Sequence, residues 1–127
     1  MYLENPFTLG VAIVARPKLS GLGEHWGVQL PDGRVAHCTP DRGEHISTYT
    51  EFAAGFQVRT KRNVPTQLQW EAVERVMGAL RQPKTYHPTI NNCEIFANKM
   101  IGVKPDSPTV NGLVVVALVA VVLRVAA

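Results

Sequence analysis

Cysteine is scarce in this chain: its 127 residues include two, Cys38 and Cys93. Two thiols cannot build a disulfide framework, and they lack the paired spacing that zinc sites use. Both read as free thiols of a reducing compartment, and no metal or other cofactor is expected. Concentrated charge is also lacking. The net charge of +3 comes from scattered side chains, among them Arg16, Lys18, Arg59, Lys61, Arg62, Lys84, Lys99 and Lys104. No stripe of interleaved aromatic and basic residues marks a nucleic-acid surface, so nucleic acid is not an expected partner. These cations read as solvated surface, with a face for anionic lipid headgroups as the alternative. The opening residues hold Glu4, Pro6 and a seven-residue apolar run, Leu9–Ala15, with no basic residue ahead of it. That makes a poor signal peptide, and the run reads as a strand. With 46% hydrophobic and 18% charged residues, the chain is expected to fold as one domain with a core.

Long apolar runs are absent until the C-terminus. There "SPTVNGLVVVALVAVVLRVAA" holds eleven unbroken apolar residues, Leu113–Leu123, after Ser107 as a cap and Pro108 at a first helical position. Val110–Ala127 is eighteen residues, interrupted by Asn111 and Arg124, against the ~20 that a spanning helix needs. A membrane anchor is expected, with Arg124 snorkelling and Lys99 and Lys104 keeping the folded domain on the cytoplasmic face. A buried C-terminal helix or a Val-rich strand is the alternative.

Between these ends the pattern predicts an α+β domain. Leu9–Ala15, His25–Leu30, Arg34–Thr39 and Phe56–Lys61 read as strands, with a helical turn at Tyr49–Ala54. Thr66 and Gln69 have the spacing of a capping box. Trp70, Val73, Met77 and Leu80 then form one helical face that ends before Pro83. "PKTYHPTINN" is a loop leading to a second helix, "NNCEIFANKM", in which Ile95, Phe96 and Met100 form the buried side and Cys93 occupies the first turn. Unpaired N–H groups and the helix dipole lower the pKa of a thiol placed there, making it a candidate nucleophile; a small core hydrophobe is the alternative.

A cysteine nucleophile needs a base and a group to orient it. The histidines are His25, His37, His45 and His87. In "HWGVQLPDGRVAH", Pro31-Asp32-Gly33 suits a three-residue hairpin loop with Gly33 in the left-handed position. Leu30 then opposes Arg34, Gly27 opposes His37 and His25 opposes Thr39, making His25 and His37 diagonal neighbours on one face. A two-residue loop would put His37 on the other face. Cys38 points away from the pair, leaving Cys93 as the better nucleophile. His45 and His87 read as solvated loop residues, with His87 as a substitute base.

"HWGVQLPDGRVAH" together with "NNCEIFANKMIG" resembles the H-box and NC-box of the lecithin:retinol acyltransferase-like proteins, a permuted branch of the NlpC/P60 papain-like superfamily. "TYTEFAAGFQVR" is similar to the segment between the boxes, and a C-terminal hydrophobic anchor is a feature of the phospholipase/acyltransferase members. The resemblance implies a catalytic domain over residues 1–106 and an anchoring helix over residues 107–127. It further implies Cys93 as nucleophile, His25 as base, His37 as the residue holding His25, and the Cys93 backbone N–H as one oxyanion donor. The implied reaction is acyl transfer from a phospholipid through a thioester. Two departures bear on substrate choice: Ile95 stands where family members often have histidine, and "PFTLG" replaces the usual Pro-Gly-Asp. The competing expectations are amidase or peptidase action, as in the wider superfamily, and a non-catalytic membrane or host-factor interaction protein.

Overall fold

The computed structural model describes residues 9–103. Five antiparallel strands form one sheet: β1 (Ala12–Pro17), β2 (Glu24–Gln29), β3 (Val35–Thr39), β4 (Gly43–Ser47) and β5 (Arg59–Asn63). Their order is β4-β3-β2-β1-β5, so a four-strand meander is closed on its β1 edge by the last strand. Short antiparallel hairpins need no crossover, which is why neighbours in sequence are neighbours in space. A short helix, α1 (Tyr49–Ala53), follows β4, and α2 (Gln69–Arg81) and α3 (Cys93–Met100) follow β5. The expected α+β sheet-and-helix domain is therefore present. The expected C-terminal helix, residues 107–127, lies outside the described residues, and among these no helix is long and apolar enough to cross a membrane.

Both faces of the sheet are covered, unequally. On one, Val11, Ile13, Val28, Leu30, Ala36 and Cys38 pack with Val76 of α2 and Phe96, Ala97 and Met100 of α3. On the other, Ala12, Val14 and Val35 pack under Phe52 of α1. Alternation along each strand sorts these side chains to opposite faces. At roughly 1.5–3 kcal/mol for each large buried side chain, the larger face carries most of the stability.

Local details differ from expectation in three places. Trp70 is 70% exposed, because α2 turns Ala72 and Val76 inward and leaves Val73, Met77 and Leu80 at the margin. The capping box does not form: Thr66–Leu68 is a 3-10 turn, and the Gln69 side chain donates to the Val64 carbonyl instead. In α3, Ile95 is half-buried, while Glu94 and Asn98 are buried beside Phe96 and Met100.

Candidate active site

The hairpin turn forms as its residues predict. Gly33 N–H donates to the Leu30 carbonyl, and Gly33 has φ +88°. Gly27 faces His37 across the β2–β3 ladder, with Val28 opposite Ala36 and Gln29 opposite Val35. His25 and His37 thus share a face, and His25 Nε2 lies 2.8 Å from His37 Nδ1. Gly27 lies between them. A Cβ there would fall 2.5 Å from Val35 Cγ1 and 2.8 Å from the Phe52 ring. The missing side chain is what admits that ring, which lies 5.4 Å from the His25 ring centroid and 5.2 Å from that of His37.

The expected His25–Thr39 rung is absent, and its absence opens the site. β2 continues along β1 to Glu24, paired with Pro17, and β3 continues along β4 to Thr39, paired with Gly43. Between β2 and β3, however, pairing stops at Gly27 and His37. The start of α3 approaches this gap from the opposite face, and the Trp26 backbone N–H is directed at the Cys93 sulfur. Cys93, His25 and His37 accordingly line one cleft of about 520 Å³, with Arg16, Lys18 and Ser47. Asn92 caps α3, its Oδ1 accepting from Ile95 N at 2.9 Å, and Cys93 is the first residue of the helix, where a backbone N–H has no partner within the helix.

A polar chain runs from the first histidine to β4. His37 Nε2 lies 2.8 Å from Ser47 Oγ. Two sets of tautomers satisfy this chain; in the one where neutral His37 donates from Nε2 to Ser47, His37 accepts at Nδ1 and His25 has its proton on Nε2 and its lone pair on Nδ1. Burial, reinforced by the Arg16, Lys18 and His45 charges, pushes His25 down to about 4. Burial, with His25, His45, Arg16 and Arg42 nearby, pushes His37 down to about 3. Burial also raises the Cys93 thiol above its ordinary value, outweighing the Trp26 and Glu94 backbone N–H groups. This reverses the helix-start expectation for Cys93: loss of solvent costs the thiolate more than the unpaired N–H groups return. The resting pair is a neutral thiol and a neutral imidazole.

Replacing Ser47 by alanine leaves the buried His37 Nε2 without its hydrogen-bond partner. A loss of about 1–2 kcal/mol in urea unfolding at pH 7.5 is expected; an unchanged midpoint would show that the hydroxyl does not hold the ring.

Several residues had been read differently in the sequence. His45 is on β4, not in a loop; it faces His37 with ring centroids 4.2 Å apart, and its Nδ1 lies 2.9 Å from the Gly43 carbonyl. Arg16 is 9% exposed rather than solvated, with Nε donating to the Phe52 carbonyl at 2.6 Å. Cys38 packs in the α2–α3 core, donates to the Asn91 carbonyl and is pushed up to about 12 by burial and Glu44, so it is not a rival nucleophile. His87 is exposed and bridges Asn91 through the backbone. Buried Glu44 accepts from Lys84 N and Asn91 Nδ2, stapling the loop before α3 to β4. Gly43 permits that approach, having φ +69° and room only for a hydrogen beside the Lys84 carbonyl. The missed signal was "PDRG", a second Pro-Asp turn like "PDG", followed by alternating Glu44/Ile46 and His45/Ser47.

Among the described residues no group of three His, Cys, Asp or Glu side chains is arranged to hold a metal ion. Compared with protein-family models, with characterised proteins and with solved structures, the chain matches none.

Proposed function

We propose that this protein is a thiol-dependent acyl hydrolase or acyltransferase acting on phospholipid esters, of the H-box/NC-box kind its motifs resemble, with the permuted papain-like fold. The observation that carries the reading is the shared cleft of Cys93 and His25, with His25 Nε2 tied to His37 at 2.8 Å. That bond leaves His25 Nδ1 as the atom able to take a proton from the thiol.

As the Cys93 sulfur bonds to the ester carbonyl carbon, its proton passes to His25 Nδ1. The carbonyl oxygen becomes an oxyanion beside the Cys93 N–H and the positive start of α3. The C–O bond to the leaving alcohol then breaks, and His25 returns the proton to that oxygen, leaving an acyl thioester. Water, or an amine or alcohol acceptor, attacks the thioester carbon and gives its proton to His25; the carbon–sulfur bond breaks, the acyl product leaves, and His25 returns the proton to the Cys93 sulfur. His37 and Ser47 hold the imidazole in the reactive tautomer. The cleft volume, about 520 Å³, is in the range that holds a ligand of acyl-chain size. Attachment through Val110–Ala127 to the cytoplasmic face of a membrane would concentrate the enzyme on this substrate.

Intact-protein mass spectrometry after brief exposure to phospholipid micelles tests the reading. An acyl-sized mass gain is expected on the native chain and not on Cys93→Ala. No adduct and no released fatty acid from folded protein would overturn it; cleavage of a peptide amide in its place would move the activity to the amidase class.

A further inference from the structure

Large apolar side chains are unevenly exposed on this domain. Leu19 and Leu22, on the β1–β2 turn, are 77% and 80% exposed, Ile90 is 70% exposed three residues before Cys93, and Phe56 is 39% exposed in the stretch leading to β5. The topology places Leu19, Leu22 and Phe56 at one end of the sheet, and Ile90 is brought there by its neighbour Asn91, whose Nδ2 donates to Glu44 at the start of β4. Pro17 pairs with Glu24 at the foot of the β1–β2 turn, and Ala15 pairs with Arg59 where β5 begins. The β3–β4 turn closes at the same end through the Thr39–Gly43 pair. The cleft opens there too: Lys18, Leu19, Arg42, Ala54 and Cys93 all line it.

We propose that this end of the sheet is a lipid-docking surface, with Leu19 and Leu22 entering the bilayer and the mouth of the Cys93 cleft resting on it. The inference rests on the reading of the cleft as a lipid-ester site, which it deepens by assigning a contact separate from the C-terminal run. The shape favours a lipid surface over a protein. The apolar groups project from three separate connections, Leu19 and Leu22 from the β1–β2 turn and Phe56 and Ile90 from two loops, which suits a soft medium that closes around each one. The charge agrees. Lys18 and Arg42 stand beside the tips, while Glu24, the acid at the foot of the β1–β2 turn, is bridged by Arg59 at 2.8 Å and Lys61 at 2.9 Å. Asp41 and Glu51 offset part of this charge, so the rim is mildly cationic and the leucines supply the insertion. Continuity with the cleft sets this end apart from the other exposed apolar group, Leu9, Leu68 and Trp70: Leu19 lines the cleft, and none of those three does. Leu9 N–H donates to the Pro31 carbonyl at the β2–β3 turn, the opposite end of the sheet.

The test is tryptophan quenching by vesicles of brominated phosphatidylcholine with added phosphatidylserine, using the full chain. Trp70→Phe, which retains Trp26, provides the background, and Leu22→Trp is added to it. Position 22 is expected to emit as a water-exposed indole in buffer and to be quenched on vesicles at least about twofold beyond the background. Trp70 of the unmodified chain is expected to remain unquenched. The proposal is overturned if the indole at 22 stays in water on bound protein, if Trp70 is quenched instead, or if the full chain does not bind the vesicles. A shielded indole at 22 in buffer would also overturn it, since the chain itself or a second copy would then cover the tip. None of these readouts needs turnover, so a chain that docks but forms no thioester refutes the catalytic reading alone.

Discussion

Cys93→Ala and His25→Ala are each expected to lower acyl turnover by about 10⁴-fold or more, and the double substitution to lower it little further. The reason lies in the neutral resting pair. Burial raises the Cys93 thiol and lowers His25, so neither supplies a standing charge, and the proton must move from one to the other as the carbon–sulfur bond forms. Without His25 the thiol has no acceptor; without Cys93 the imidazole has no nucleophile to activate. Removing either disables the same step, so the losses overlap. Single-turnover release of fatty acid from phospholipid micelles measures the three variants, with urea unfolding as a check on folding. Losses that multiply, or a loss below about tenfold for His25→Ala, would mean that the two residues do not act as a pair.

Acid is expected to destabilise the fold well before its carboxylates titrate. In the unfolded chain each imidazole takes up a proton near pH 6.5; in the fold His25 does so at about 4 and His37 at about 3. Between those limits the unfolded chain holds more protons, so lowering the pH favours unfolding. The stability is fully present above pH 6.5 and is lost as the pH falls through 6.5 toward 4. From pH 7.5 to 5 the two residues together cost about 4 kcal/mol, with a limiting slope of about 2.7 kcal/mol per pH unit. Glu24 is held down to about 2 by Arg59 and Lys61, and its contribution is lost only below its ordinary 4.5. The interval from 6.5 to 5 therefore isolates the histidines. Urea unfolding at several pH values measures the slope, and His37→Gln is expected to halve it. A flat profile over that interval would show that the pair is not buried in its neutral form.

Much of this arrangement was legible before any coordinates. Pro31-Asp32-Gly33 determined a three-residue loop, the loop determined the Gly27–His37 register, and the register put His25 and His37 on one face. Each of those steps is local, depending on backbone dihedrals within a few residues and on the period-two geometry of strands. The spacing of Ile95, Phe96 and Met100 likewise marked α3 and put Cys93 in its first turn. The β4 strand escaped notice because it is short and polar, and with it went the placement of His45 and Ser47 beside the pair and of Glu44 under the loop before α3.

Other features were beyond any local reading. Arg16 resembled every other scattered cation until Phe52 closed over it. The direction of the Cys93 shift reversed, because a helix start is visible in sequence while solvent exclusion is not. The cleft that Cys93 shares with the histidines lies where β2 and β3 cease to pair, just past Gly27. Sequence alone thus determined the hairpin register and which face of the sheet holds the histidines. Tertiary structure alone decided that Cys93 lines the same cleft and that burial favours the uncharged form of all three groups, because desolvation and strand separation are set by residues far apart in the chain.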